Sequence, residues 1–476
     1  MIASLTSVSS ANPSHWRARW NAFRFPINPE KEALLRARWE SLPNDLRTLN
    51  QLAGRHLTHC GFTTGASYCS FRCTHCYLPA NANEVPIPSL AQMEEQIDAN
   101  RRSQGPGGGL QITGGDVADA YWRAGRQQEL IEIVRYAVGV KLVPMLMTHG
   151  QTLLEHPEFL EALVVEGGLR QLAVHIDITQ AGRHGFPINR LTTERDLHPV
   201  RKSFTILAAH IRQRTGLPLE LAHNCTVTER NIDSVAEVVR WFLADPARSR
   251  IWRILSFQPE ANTGRTIVSE NPTTPAIVWQ KLCEGMGLTI DGSAFIGGHP
   301  DCNQGVSLLV EQNGGRYFPL LPNDEKTKRL FADILARVGA ISTVTTDSEG
   351  ASSLPYRVAG AFARHPQLAG RSLWRAAVLI ASGQVPAPFL RALLTGRAHT
   401  INIGTHNFMD ARQVANAPND PVVQARLEAC VFKGAVKNRA SGDWEAVPMC
   451  AMNESRWSAL YAERLDDPAL ATHSSG

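Results

Sequence analysis

The sequence has few of the features that would place a protein in a membrane or on nucleic acid. Its 476 residues contain no apolar stretch of about 18 or more, so no membrane span is expected. The formal net charge is only +4, and no run of Lys and Arg concentrates it, so no nucleic-acid partner is expected. The N-terminus lacks a basic stretch followed by an apolar one, so we predict no signal peptide and expect a cytoplasmic location.

Cysteine is sparse, and its number is odd. The chain has nine cysteines, which argues against a disulfide framework in a long chain without an export signal. In a reducing compartment, cysteines that cluster in sequence are more often metal ligands.

Strand-like and helix-like segments alternate over residues 56–290. The predicted strands are Leu57–Phe62, Gly109–Thr113, Val140–Met147, Gln171–Ile178, Leu219–Val227 and Trp252–Phe257. The predicted helices between them are Leu90–Arg101, Gln127–Val138, Pro157–Val165, Ser203–Arg214, Ile232–Leu243 and Ala276–Gly285. Six strand–helix units in series predict an α/β fold with a parallel sheet curled into a full or partial barrel.

The flanking parts of the chain do not follow that rhythm. Residues 1–55 form an N-terminal extension, with a helix predicted to start after Asn28 as N-cap and with Pro29 at its first position. Residues 291–476 are interpreted as a smaller α+β domain. Its predicted elements are a strand at Ser307–Val310 and helices at Glu325–Val338, Ser372–Ala381 and Pro388–Leu394.

Three cysteines follow the first predicted strand with the spacing C-x3-C-x2-C, at Cys69, Cys73 and Cys76. Thiolates on one tight loop can hold three irons of a four-iron cluster and leave the fourth iron open for a small chelating ligand. A zinc site is the alternative, because His59 and His75 are close in sequence. The position after the first strand and the glycine turn described next favour the cluster.

Polar residues and glycines occur where the later predicted strands end. Gly114 and Gly115 end the second strand and would allow close approach of a ligand to the backbone, and the Asp116 carboxylate could accept a hydrogen bond from an ammonium group. Because the strand ends of a parallel barrel share one face, we predict a ligand site there. Its further candidate residues are His149, Asp177 and Gln258.

The cysteine motif resembles the signature of the radical S-adenosylmethionine (SAM) superfamily. That resemblance implies a (β/α)6 partial barrel over residues 56–290 and a [4Fe-4S] cluster on Cys69, Cys73 and Cys76. In that superfamily a Gly-Gly-Glu motif contacts the amino group of SAM. Here Asp116 replaces the glutamate and is one methylene shorter.

From residue 56 to about 455 the chain resembles the group that contains the class D radical SAM methylases and the archaeal tetraether lipid synthase. The matching segments are Ser-Phe-Gln-Pro at 256–259, Thr-Gly-Arg at 263–265, His-Pro-Asp-Cys at 299–302, Asn-Phe-Met-Asp at 407–410 and Pro-Met-Cys-Ala-Met-Asn at 448–453. The resemblance implies a second [4Fe-4S] cluster on Cys302, Cys430 and Cys450. By spacing alone these are three buried thiols. A fourth ligand is not evident, and Cys60, Cys225, Cys283 or an open iron remain alternatives.

The resemblance implies an enzyme that cleaves SAM reductively and abstracts hydrogen from an unactivated C–H bond of a small molecule or lipid. The implied outcome is C-methylation, a transferase reaction, or carbon–carbon bond formation, with an external electron donor such as flavodoxin or ferredoxin. Dehydrogenation or rearrangement of a small metabolite is an alternative outcome. A non-catalytic iron–sulfur or zinc-binding protein is the alternative from another class. The sequence contains no Asp-x-His-x-x-Gly motif for cobalamin and no dense C-terminal cysteine array.

Overall fold

The structure, a computed structural model, describes most of the chain. The described residues are 13–44, 60–71, 73, 75–79, 81–180, 182–266, 270, 272–293, 298–311, 315–322, 324–338, 354–386, 398–438 and 441–456. The strands are β1 Cys60–Ala66, β2 Gly109–Gly114, β3 Val143–Thr148, β4 Gln171–His175, β5 Glu220–Val227, β6 Trp252–Pro259, β7 Asn303–Glu311, β8 Tyr317–Pro319, β9 Ala398–His406, β10 Phe432–Lys437 and β11 Trp444–Pro448.

Helices connect and cover these strands. In chain order they are α1 Pro13–Arg24, α2 Pro29–Ser41, α3 Leu90–Gln104, α4 Val117–Arg123, α5 Gln127–Gly139, α6 Gln151–Glu155, α7 Pro157–Val165, α8 His198–Thr215, α9 Val235–Leu243, α10 Pro246–Ile251, α11 Pro275–Met286, α12 Glu325–Val338, α13 Leu354–Arg364, α14 Pro366–Ala381, α15 Ala411–Ala415, α16 Pro421–Glu428 and α17 Met449–Arg456. Within the described ranges, no helix is both long and apolar enough to cross a bilayer.

One mixed sheet of 11 strands organises the molecule, in the order β11-β10-β1-β2-β3-β4-β5-β6-β9-β7-β8. Strands β1 to β6 are mutually parallel, and β10 and β9 extend them in parallel at the two sides. The main hydrophobic core lies between this sheet and the helices, and its members include Ile112, Leu146 and Val174. The carboxyl ends of the parallel strands therefore meet at one edge, where the predicted site residues follow them.

The sheet curls back on itself. His406 ends β9 and Phe432 begins β10, and six strands separate β9 from β10 in the sheet order. Their rings nevertheless pack edge to face with centroids 5.2 Å apart. The curl thus joins the far sides of the sheet at a junction formed by residues that are remote in sequence.

The α/β fold with a large sheet is as the sequence analysis expects, and the structure adds several differences in detail. The first strand was expected at Leu57–Phe62; it is described from Cys60 and runs to Ala66, and residues 57–59 lie outside the described residues. The helix expected at Pro388–Leu394 also lies outside them. Helices α7 and α12 have the expected bounds.

The part of the chain after residue 290 was expected to form a smaller domain. Its strands instead continue the main sheet, with β9, β7 and β8 beyond β6 and β10 and β11 beyond β1. The physical reason is that an exposed edge of the sheet offers unpaired backbone groups, which these strands satisfy. Strands from both sides of residue 290 share one sheet. A domain boundary at that residue stays a prediction.

Candidate functional site

The cysteine loop, residues 69–77, follows β1 and is fixed by side chains from neighbouring elements. Asn83 brackets Cys69: the Cys69 N–H donates to Asn83 Oδ1 at 3.1 Å, and Asn83 Nδ2 donates to the Cys69 carbonyl at 3.2 Å. The Ser70 N–H donates to Asp119 Oδ2 at 3.3 Å. These bonds hold the start of the loop against α4 independently of any bound group.

The three thiols of this loop form the first cysteine set, Cys69, Cys73 and Cys76. Burial raises the pKa of Cys73 well above its usual range, and the neighbouring Cys69, Cys76 and Asp177 raise it further, while Arg265 lowers it. Three thiolates in such a place repel one another unless a cation compensates their charge. A cluster with iron bound to each thiolate supplies that compensation, so the donor set fits a [4Fe-4S] cluster.

The glycine turn after β2 approaches the end of β1 closely. Gly115 N–H donates to the Ala66 carbonyl at 2.7 Å, and the Tyr77 hydroxyl donates to the Gly114 carbonyl at 2.5 Å. A Cβ on Gly114 would lie 1.9 Å from the Ala66 oxygen, and one on Gly115 would lie 2.0 Å from the Tyr68 oxygen. The two glycines are therefore required by contacts within the protein, in addition to any contact with a ligand.

We expect Gly114→Ala to destabilise the protein by about 2–4 kcal/mol, because it combines backbone strain with overpacking. The φ of Gly114 is +123°, and the clash is with backbone of β1. Chemical denaturation of the apo-protein measures the free energy of unfolding. Gly125→Ala is the matched control, since φ there is +66° with nothing within 4 Å, and it should cost about 1 kcal/mol. Equal losses in both variants would contradict the close-contact explanation.

Asp116 was predicted to contact a ligand, and the structure shows its carboxylate engaged inside the protein. It is 2% exposed and caps α4 by accepting from the Asp119 N–H at 2.8 Å. The Thr148 hydroxyl and the His149 N–H donate to its other oxygen at 2.7 and 2.6 Å. Asp116 thus joins the ends of β2 and β3, and its contact with a ligand stays a prediction.

His149 is buried directly beneath the cysteine loop. Its ring stacks on Phe71 with centroids 3.6 Å apart and an interplanar angle of 1°. Its Nε2 lies 3.4 Å from Ser70 Oγ. Burial alone would raise the pKa of Asp119, but hydrogen bonds from His149, Ser70 and Arg123 hold that pKa below its usual range. An ionised Asp119 can therefore accept from the Ser70 N–H of the loop and from Arg123 Nε.

Arg183, which no sequence pattern indicated, is 4% exposed and borders the same ring stack. Its guanidinium lies over the Phe71 ring at 5.3 Å, and Nη2 donates to the His149 and His175 carbonyls at 3.1 and 3.2 Å. Burial lowers its pKa to about 10. Its Nε and Nη1 have no hydrogen-bond partner among the described residues. A buried cation with two unused donor groups can bind an anionic ligand.

Asp177 is fully buried after β4 and holds His175. Its Oδ2 lies 2.6 Å from His175 Nε2 and accepts from the Thr226 N–H at 2.7 Å, while Oδ1 accepts from the Thr179 N–H and hydroxyl. Burial opposes ionisation, but these bonds and His175 lower the pKa of Asp177 to about 2. Asp177 is therefore a carboxylate that orients an imidazole which is 36% exposed.

Gln258, the last of the predicted ligand-binding residues, lies near the end of β6. Its side-chain Nε2 donates to Ser256 Oγ at 2.6 Å, within the same strand. Gln258 is partly buried. Its contact with a ligand stays a prediction.

The second cysteine set, Cys302, Cys430 and Cys450, comes together at the junction between β9 and β10. Burial raises the pKa of all three thiols, and the pKa of Cys450 reaches about 12. The thiols also affect one another: Cys302 raises the pKa of Cys430, and both of these raise the pKa of Cys450. Arg426 Nε donates to Cys302 Sγ at 3.3 Å, and the Met409 N–H donates to Cys450 Sγ at 3.4 Å. Cys430 Sγ donates to the Phe432 carbonyl at 3.0 Å. Three partly buried thiols, two of them with N–H groups directed at their sulfurs, fit a second cluster.

The three candidates for a further ligand of that set make other contacts. Cys225 Sγ accepts from Asn231 Nδ2 at 3.9 Å, and Cys283 Sγ donates to the Ile290 carbonyl at 3.8 Å. Cys60 lies in β1, and burial raises its pKa to about 12. These contacts assign none of the three to the second set, so its fourth ligand stays open.

Across the described residues, no group of three or more His, Cys, Asp or Glu is placed to hold a metal ion. Each cysteine of a four-iron cluster binds its own iron, so its ligands stand further apart than those of one ion.

Sequence reasoning also missed Asn83, Asp119 and Arg426. Asp119 was recognisable in part, because it lies three residues after Asp116 at the start of a helix, where carboxylates serve the first turn. Asn83, Arg183 and Arg426 carry no local signal, because each acts on a segment that reaches it only through the tertiary fold.

No protein-family model matches the chain, and comparison with curated proteins gives no match either. Matches among solved structures include a histidine-tagged anSMEcpe with bound AdoMet and a native anSMEcpe with bound AdoMet and a peptide, each at 15% sequence identity and with TM-scores of 0.31 and 0.30. They cover 48% and 47% of this chain, and 58% and 56% of the matched chains. The overlap therefore spans less than two thirds of the length of those proteins.

Proposed function

We propose that this protein is a radical SAM enzyme with a (β/α)6 partial barrel. The observation that carries the proposal is the first cysteine set, which lies on a loop anchored at the carboxyl edge of six parallel strands, beside a glycine turn. Its spacing resembles the superfamily signature. The substrate and the outcome of the reaction are part of this proposal.

The residues around the cysteine loop have separate roles in the proposed reaction. Cys69, Cys73 and Cys76 would hold a [4Fe-4S] cluster, which when bound supplies the electron that cleaves SAM to methionine and a 5′-deoxyadenosyl radical. Arg183 offers its unused donors to the carboxylate of the methionine moiety. The backbone of the glycine turn lines the same site.

The reaction we propose starts with abstraction of hydrogen from an unactivated C–H bond of a small molecule or lipid. The resemblance implies that C-methylation or carbon–carbon bond formation follows this abstraction. An external donor such as flavodoxin or ferredoxin would supply the electron in a cytoplasmic setting. His175, oriented by the ionised Asp177, is available at the same edge to accept or return a proton.

We propose further that the second cysteine set holds an auxiliary [4Fe-4S] cluster. The convergence of three partly buried thiols, Cys302, Cys430 and Cys450, supports this proposal, as do the N–H groups directed at two of their sulfurs. Hydrogen bonds to cluster sulfurs tune reduction potential, so Arg426 and the Met409 amide would favour the reduced form.

The test is anaerobic reconstitution with iron and sulfide, followed by SAM and dithionite and analysis of nucleoside products. We expect 5′-deoxyadenosine from the wild-type protein and about tenfold weaker SAM binding for Arg183→Gln, which loses a charge-assisted bond. Arg195→Gln is the control, because Arg195 is 74% exposed at a surface ion pair. Iron binding without SAM cleavage would instead favour a non-catalytic iron–sulfur protein, and zinc in place of iron a zinc protein.

A further inference from the structure

A short segment after β6, Glu260–Arg265, contacts the second half of the cysteine loop. The Arg265 N–H donates to the Cys76 and Leu78 carbonyls, both at 3.0 Å, and Arg265 Nε donates to the Cys73 carbonyl at 2.7 Å. Arg265 therefore binds the backbone of two members of the first cysteine set.

Two further contacts bring the same segment against the loop. Glu260 Oε2 lies 3.3 Å from Nδ1 of His75, the residue that directly precedes Cys76 in the loop. Gly264 has a φ of +60°, and a Cβ there would lie 2.1 Å from the Tyr77 carbonyl oxygen. The segment thus packs backbone to backbone with the loop, which leaves little room for independent movement.

The other side of the segment binds the turn after β9, residues 407–410. The Asn262 N–H donates to Asp410 Oδ1 at 2.5 Å, and the Ala411 N–H donates to the Asn262 carbonyl at 3.0 Å. The same turn reaches the second cysteine set. Its Asn407 N–H donates to the Cys302 carbonyl at 2.8 Å, and its Met409 N–H donates to Cys450 Sγ at 3.4 Å.

We infer that Glu260–Arg265 and the 407–410 turn form one continuous support that fixes the first cysteine set relative to the second, with Asp410 as its central positioning residue. The inference rests on the proposed function, in which both sets hold clusters. In this inference the Thr-Gly-Arg motif at 263–265 and the Asn-Phe-Met-Asp motif at 407–410 share one structural role, which is to hold the two cysteine sets in place. Because both ends are held by backbone hydrogen bonds, a change in one set displaces the other through Asn262 and Asp410.

The test compares Asp410→Ala with Asp410→Asn, which keeps an acceptor for the Asn262 N–H. Asp420→Ala is the matched control, because Asp420 accepts from the Val422 and Val423 amides at the start of the next helix and does not touch the support. Hydrogen–deuterium exchange of the full-length apo-protein is read by mass spectrometry over residues 262–266 and 75–79. This measurement requires no cluster.

We expect amides of 262–266 to exchange roughly tenfold faster in Asp410→Ala, and those of 75–79 to accelerate in the same variant. Asp410→Asn should restore protection at both, and Asp420→Ala should change neither. Faster exchange confined to residue 262 would overturn the inference, because the effect would then stop before the first cysteine set. So would equal acceleration in Asp420→Ala, which would mark a general loss of stability.

The reconstituted holoenzyme provides a second readout. We expect the electron paramagnetic resonance signal of the first cluster, and its change on adding SAM, to differ from wild type in Asp410→Ala and to return in Asp410→Asn. An unchanged signal in Asp410→Ala would overturn the coupling. If the wild-type protein binds no cluster, the proposed function fails while the exchange experiment still decides whether the support exists.

Discussion

Replacing Cys69, Cys73 and Cys76 together by alanine should remove about half of the iron and abolish 5′-deoxyadenosine formation. The wild-type protein should bind roughly eight irons, four on each cysteine set. The loss is large because these three thiols share one charge environment, in which Cys69 and Cys76 both raise the pKa of Cys73. Iron content by elemental analysis and nucleoside products by chromatography measure both effects after anaerobic purification.

The matched control is Cys283→Ala, which removes a thiol of α11 that donates to the Ile290 carbonyl. It should keep the iron of the first set and the nucleoside product. A triple variant that retains its iron would contradict the assignment of the first set. Zinc in place of iron in the anaerobically purified wild-type protein would contradict both cluster assignments.

Replacing Cys302, Cys430 and Cys450 should separate cleavage of SAM from completion of the reaction. We expect about half of the iron to remain, slow formation of 5′-deoxyadenosine, and no final product. The cysteine loop keeps its own anchors in this variant, since Asn83 and Asp119 hold it without help from the second set. The remaining rate should be below wild type, because the support through Asp410 is disturbed at its other end.

A structural role for the second set gives a different result, because metal binding couples to folding. Circular dichroism and a melting curve on Cys430→Ala distinguish the two roles. A folded variant that completes normal product turnover would refute the catalytic role. A collapsed fold would support the structural one.

Features determined by neighbouring residues could be predicted from the sequence. Asn28 caps α2 by accepting from the Glu30 and Lys31 amides, with Pro29 at the first helical position. The bounds of Pro157–Val165 and Glu325–Val338 follow from their apolar periodicity. The spacing of Cys69, Cys73 and Cys76 places three thiols on one short loop, whatever the rest of the chain does.

The roles of polar residues at the strand ends depended on partners from other strands. Asp116 is predicted to bind a ligand, and that contact stays a prediction; inside the protein its carboxylate oxygens accept from the Asp119 N–H, the Thr148 hydroxyl and the His149 N–H. A buried carboxylate without hydrogen-bond partners costs folding free energy, so groups at the end of the neighbouring strand become the partners of Asp116. Arg183 is the opposite case, a residue that was not predicted to bind a ligand. It is buried beside Phe71 with two nitrogen atoms that have no hydrogen-bond partner among the described residues, and the local sequence does not indicate this.

The sequence by itself determined the alternation of strands and helices over residues 56–290 and the first cysteine set, because helix caps, periodicity and a tight loop depend on contacts between near neighbours. Only the tertiary structure decided that the strands after residue 290 extend the main sheet, and that the second cysteine set assembles at the junction of β9 and β10. Cys302 and Cys430 meet because the sheet curls. That curl is the sum of small twists between many strands, and no single segment of the sequence encodes it.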